Sequence, residues 1–120
     1  MAELLFLGTG SSLGVPLVGC ACQTCTSSSL LNKRMRPSAL ITVGGKQFLI
    51  DAGPDFRFQA LTHNIHQLDG VLLTHAHQDH VAGLDDLRPL LFKRKEPLPI
   101  LLSIKTAKDI QNRFHYFFKK

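Results

Sequence analysis

The segment Thr74-His75-Ala76-His77-Gln78-Asp79-His80 places three imidazoles and a carboxylate within six residues, directly behind the apolar run Val71-Leu72-Leu73. Packing does not call for that composition. A chain that closes an apolar strand with these groups is built to hold a cation, and a cation in an open cleft does hydrolytic or redox work. While the backbone stays extended, His75 and His77 point to the same side and can share one ion. If the chain then turns into a helix, Asp79 and His80 swing to another part of the cleft. There they could serve a second ion, roughly 3.5 Å away as in two-metal centres. The side-chain types favour zinc, manganese or iron over magnesium or calcium, which take oxygen-dominated sets. Catalytic sites use three ligands and a water, and this segment offers two per ion. His63, His66 and His115 read as surface or packing residues, so the missing ligands are expected outside this chain.

Cys20, Cys22 and Cys25 are all the cysteines of the chain and fall in one loop, Gly19-Cys20-Ala21-Cys22-Gln23-Thr24-Cys25. Disulfide scaffolds spread their cysteines, and a Cys22–Cys25 redox pair would leave Cys20 unexplained. Three bunched thiolates read as ligands of a structural zinc whose fourth ligand comes from elsewhere, with His115 one candidate.

Elements must position these groups. Leu4 to Leu7 read as a short buried strand, followed by the glycine-rich loop Gly8 to Pro16. Ala39 to Val43 and Lys46 to Ile50 form a hairpin about Gly44-Gly45, a favoured two-residue connection. Asp51 closes its second strand beside the histidine loop, where it can take a proton from a ligand histidine or orient the loop. Asp55 is expected to cap a helix running to about His63. Val71 to Leu73 make the strand that delivers the histidines. Gly83 to Leu87 start a short helix that Pro89 should limit, and Leu98 to Leu102 make a further strand. The last helix spans Ser103 to about Phe114, with Ile104, Ala107, Ile110 and Phe114 as its apolar face. Hairpin strands followed by strand-helix alternation give an α/β layered fold.

The 120 residues suit one modest domain with a real core. The apolar start is too short for a signal segment and no run approaches a membrane span, so a cytoplasmic protein with no membrane partner is expected. The formal charge is +5, and nine of the fourteen Lys and Arg residues lie between Arg88 and Lys120. That asymmetry suits a phosphate-bearing substrate or RNA, although helix faces are often decorated this way. Phe114, Tyr116, Phe117 and Phe118 want a partner surface, which predicts self-association or completion by another half.

Thr74 to His80 carries the HxHxDH signature of the metallo-β-lactamase fold, and Leu49-Ile50-Asp51-Ala52-Gly53 resembles that superfamily's strand-terminal aspartate motif. With Gly8-Thr9-Gly10, Gly14-Val15-Pro16, the cysteine triplet, Arg36-Pro37-Ser38 and Gly83-Leu84, the chain resembles the N-terminal half of PhnP-like phosphoribosyl cyclic phosphate phosphodiesterases. PqqB-type cofactor-biosynthesis proteins carry a similar triplet, and transfer-RNA 3′-processing endonucleases share HxHxDH. The resemblance implies an αββα sandwich of which residues 1–120 form the first part, with a zinc loop within 10–37. It implies His75 and His77 on a first metal, Asp79 and His80 on a second, and both metals zinc or manganese. Asp79 would also orient an attacking hydroxide, Asp51 support the loop, and Cys20, Cys22 and Cys25 hold a structural zinc. The implied activity is hydrolysis of a small or cyclic phosphodiester, with this chain inactive alone.

Overall fold

Alternating apolar residues in the first fifty positions build an antiparallel sheet, to which two parallel strands are then added. The computed structural model describes residues 1–118, so the Lys119-Lys120 end of the basic stretch lies outside the described residues. Strands β1 (Ala2–Gly8), β2 (Ser38–Val43) and β3 (Lys46–Ile50) pair antiparallel in turn. Gly44 and Gly45 have φ of 57° and 76°, the left-handed pair that a tight hairpin turn requires. A crossover through α1 (Phe56–Thr62) brings β4 (Gly70–Leu72) parallel to β3. A second, through α2 (Gln78–Val81) and α3 (Arg88–Leu91), brings β5 (Ile100–Leu101) parallel to β4. Helix α4 (Ile104–Arg113) follows, and the sheet order is β1-β2-β3-β4-β5.

The register separates two faces. Leu5, Leu40, Leu49, Val71 and Ile100 stand opposite one another across the five strands. Phe56, Val81, Leu84, Leu87 and Ile110 pack with this row to form the core. The other face carries Phe6, Ala39, Ile50, Leu72 and Leu101 in line, with Leu4, Ile41 and Phe48 beside them. No helix among the described residues covers it, and Phe6 and Leu101 are 64% and 70% exposed. In a sandwich of two sheets, this is the face that a second sheet covers.

Several expectations change. The first strand is an edge strand with Leu7 buried but Leu4 and Phe6 exposed, because alternate residues fall on the uncovered face. Pro89 does not limit the helix: the turn Leu84–Leu87 ends before it, and Pro89 enters the first turn of α3, where its missing N–H costs nothing. On α4, Ile104 is exposed and Thr106 takes its place inside beside Ile110, with the Thr106 hydroxyl satisfied by Ser103 Oγ at 3.0 Å. Of the terminal aromatics, Phe114 and Phe117 pack against the core while Tyr116 and Phe118 stay exposed. No helix among the described residues is long and apolar enough to cross a membrane.

Candidate metal centre

Parallel neighbours end at the same edge, so β3 and β4 deliver Asp51 and the Thr74–His80 segment side by side. The β3 ladder runs one residue further, with the Asp51 amide donating to the Leu72 carbonyl at 2.8 Å. Asp51 then takes φ of 63°, a left-handed conformation that a non-glycine residue adopts only when its surroundings hold it there. Those surroundings are visible. Its carboxylate accepts from the Thr74 amide at 2.8 Å and from the Thr74 hydroxyl at 2.7 Å, and lies 2.6 Å from His80 Nδ1.

The protons in this web follow from the partners. A carboxylate can only accept, so the Thr74 hydroxyl hydrogen goes to Asp51 and the same oxygen accepts from His75 Nδ1 at 2.9 Å. His75 Nε2 is then a bare lone pair, the form that binds a metal. His80 donates Nδ1–H to Asp51, while its Nε2 stands 2.9 Å from Asp79 Oδ2. Two lone pairs at that distance repel. A cation between them, a proton or a metal, makes the approach favourable. The rings of His75 and His77 lie 4.5 Å apart by centroid and those of His75 and His80 4.1 Å, so the three imidazoles form one cluster with Asp79 at its edge.

Two glycines permit this closeness. A Cβ on Gly53 would sit 2.2 Å from the Asp79 carbonyl oxygen, and one on Gly83 would sit 2.0 Å from the Gly53 carbonyl oxygen. The space allows bonds from the Ala52 amide to the His80 carbonyl at 2.9 Å and from the Gly83 amide to the Ala52 carbonyl at 2.8 Å. On the uncovered sheet face a cleft of about 290 Å³ opens beside Asp51, lined by Gly8, Thr9, Gly10, Ser38 and Ile50 among others.

The three cysteines come together in space. The sulfur atoms of Cys20, Cys22 and Cys25 lie within 4.8 Å of one another, and among the described residues no other group of three or more histidine, cysteine or carboxylate ligand atoms is as tightly gathered. That includes His75, His77, Asp79 and His80, whose rings cluster without their ligand atoms meeting at one point. Tetrahedral zinc at 2.3 Å needs sulfurs about 3.8 Å apart, a small adjustment for the exposed cysteine loop. The Cys25 amide donates to Cys22 Sγ at 3.4 Å and, with the Cys20 and Cys25 thiols, lowers the Cys22 thiol to about 7. For Cys20 the Cys22 amide acts to lower the pKa, but the Cys22 and Cys25 side chains and some burial outweigh it, so the thiol sits above its ordinary value. His115 does not join the trio; its ring lies against Tyr116 at 5.7 Å.

Asp55 departs from expectation. It precedes α1 but makes no side-chain cap; its carboxylate accepts from Arg36 Nε at 3.0 Å, Arg36 Nη2 at 2.8 Å and the Arg36 amide at 2.9 Å. A planar guanidinium 19 residues back offers more donors than the free amides of a short helix. Neither this pair nor the bridging role of Thr74 was legible in sequence. Thr74's position directly before His75 was the one available signal.

An aspartate at one strand end, an HxHxDH cluster at the next and helices over one face of the sheet define the metallo-β-lactamase fold. The chain belongs to the beta-lactamase superfamily, whose domain matches residues 46–120. It superposes on a crystal structure described as a new diphosphatase from the PhnP family with TM-score 0.93 and 43% identity, over 98% of this chain and 49% of that one. Zn²⁺-bound PqqB from Methylobacterium extorquens is similar at TM-score 0.77 and 25% identity, over 93% of this chain and 40% of that one. Among curated relatives, an octanoyltransferase of Porphyromonas gingivalis is 50% identical over 97% of this chain and 23% of its own length. A ribonuclease Z of Mycolicibacterium gilvum is 32% identical over 98% of this chain and 38% of its own length. The chain therefore spans half or less of the length of each protein it matches here.

Proposed function

We propose that residues 1–120 form the N-terminal part of a single metal-dependent hydrolase domain, acting on a small or cyclic phosphodiester once the site is complete. The observation that carries the reading is His80 held between Asp51 and Asp79, an arrangement that asks for a cation. His75 and His77 would hold one zinc or manganese ion, Asp79 and His80 a second, and Cys20, Cys22 and Cys25 a structural zinc. Bound there, the two ions would acidify a water and offset charge on the nonbridging phosphate oxygens. The protein's own part is orientation. Asp51 fixes the His80 ring, Thr74 fixes the His75 tautomer, and Asp79 uses its second oxygen to direct the attacking water. Phosphoryl transfer needs such positioning more than covalent chemistry.

The substrate class is supported by the likeness to a PhnP-family diphosphatase together with the cysteine trio. The ribonuclease Z relative favours a second reading, cleavage of precursor transfer RNA. Against it, two of the arginines in the basic half are engaged within the fold. Arg94 donates to the carbonyls of Leu68, Glu96 and Pro97, and Arg113 to that of Ala76. The octanoyltransferase is matched over too little of its length for its named activity to enter the proposal. Incubating the longest natural form of the protein with Mn²⁺ or Zn²⁺ and three substrates separates the readings: a cyclic ribose phosphodiester, a diphosphate-linked nucleotide and a precursor transfer RNA. Turnover of the cyclic diester is expected, and cleavage of the RNA alone would replace this reading with the second.

A further inference from the structure

The last helix reaches back to the histidine loop. Arg113, at the C-terminal end of α4, donates from Nη1 to the Ala76 carbonyl at 2.6 Å and from Nη2 to Gln78 Oε1. Its base is fixed, since Ile110 one turn earlier is 0% exposed and Thr106 is buried. Its guanidinium carbon also lies 5.5 Å from the centroid of the Phe114 ring. A planar fork on a fixed stem can hold two acceptors in one geometry.

The identity of the two acceptors matters. Residues 76 and 78 alternate with His75 and His77, and His77 is extended at φ −66°, ψ 149°. In extended chain the side chains take the two faces and the backbone carbonyls point sideways between them. Arg113 therefore holds the histidine segment from its flank, at the residue between His75 and His77 and at the residue after His77, while Asp51 grips its two ends through Thr74 and His80. We infer that Arg113 is a positioning residue of the metal centre, holding the loop at its flank so that less freedom is lost when an ion binds. The inference rests on the metal-binding reading above. Arg113 touches no ligand atom of the cluster and acts through the Ala76 backbone and the Gln78 side chain.

Hydrogen exchange resolves this, with or without metal. The reporters are the amides of Thr74, His80 and Ala82, which donate to Asp51 Oδ1, the His77 carbonyl and the Gln78 carbonyl. In the metal-free chain, Arg113→Ala should speed their exchange roughly tenfold while the β2 and β3 amides keep theirs, and Arg113→Lys should restore part of the protection. Added Zn²⁺ should slow exchange in the loop of the unaltered chain, and a higher Zn²⁺ concentration should be needed for the alanine variant. Unchanged loop exchange in Arg113→Ala, or acceleration shared equally by β2 and β3, would overturn the role assigned to Arg113. If Zn²⁺ protects the loop in neither protein the metal reading falls, and the metal-free comparison still decides on the clasp.

Discussion

Asp51 holds the site together at the scale of single residues, joining a left-handed backbone, two bonds to Thr74 and one to His80. Asp51→Asn keeps the size and tolerates φ of 63°, but replaces one acceptor oxygen with a donor and removes the charge. Metal affinity at the histidine cluster should fall by roughly 10- to 100-fold, the usual cost of losing a partner that orients a ligand. Isothermal titration with Zn²⁺ in a background lacking the cysteines would measure it. On the proposed reading Asp79→Ala should lower turnover of the complete enzyme by orders of magnitude, since the proposed ligand and the oxygen proposed to direct the water would vanish together; near-normal turnover under saturating Mn²⁺ would remove Asp79 from that role. At the cysteines, Cys22→Ser should cost the chain one equivalent of zinc by atomic absorption. Thiolates bind the ion and thiols do not, so zinc affinity should weaken as pH falls below about 7, where Cys22 of the metal-free loop takes up its proton, and a chelator competition at pH 8 and pH 6 would show it. The residue types of both clusters were legible in sequence because their chemistry has no use in packing. Thr74, Arg36 and Arg113 were not, because each acts through partners that the fold alone brings near.

Elements meet the site through close backbone approaches. The turn after β3 and the segment after α2 touch at Gly53 and Gly83, where a methyl group would collide with carbonyl oxygens at 2.2 and 2.0 Å. Gly83→Ala must push α2 away from Asp51, and a loss of roughly 1–3 kcal/mol in urea denaturation is expected from such overpacking. The loop before β2 is joined to α1 by Arg36 and Asp55, and the guanidinium's hydrogen bonds hold the Asp55 carboxyl below the usual carboxylate range. A depressed folded-state pKa gives stability that is present above the unfolded value, near 3.8, and is lost as pH falls through the folded value. Asp55→Asn should therefore cost roughly 1–2 kcal/mol at pH 6 and show a flatter acid limb, as denaturation at pH 6 and pH 3 would reveal. Apolar patterning, together with turn and cap residues, located the hairpin, α1, β4 and α4 in the sequence. It misjudged the first strand and Ile104, since apolar pattern marks a residue as fit for burial without saying that a covering layer is present.

For the whole molecule, the dominant feature is a sheet buried on one side and open on the other. The row from Phe6 to Leu101 is apolar and exposed at both ends, a surface that soluble proteins rarely leave uncovered. The isolated 120-residue chain should self-associate, and light scattering behind size exclusion would show dimers or larger species. A monodisperse monomer of 13.3 kDa would contradict this. Substituting Leu4 and Phe6 with Lys should shift the distribution toward monomer, since charge on an edge strand opposes pairing. That same edge strand bears on the order of assembly. β2 and β3 meet across two glycines, whereas β1 reaches β2 only after the chain has travelled from Thr9 to Pro37. Closing the longer excursion carries the greater entropic cost, so the hairpin should nucleate within microseconds and β1 should zip on late. Late docking makes β1 the first piece to peel away, with a protease nicking the cysteine loop long before it touches the strands that carry Asp51 and the histidines.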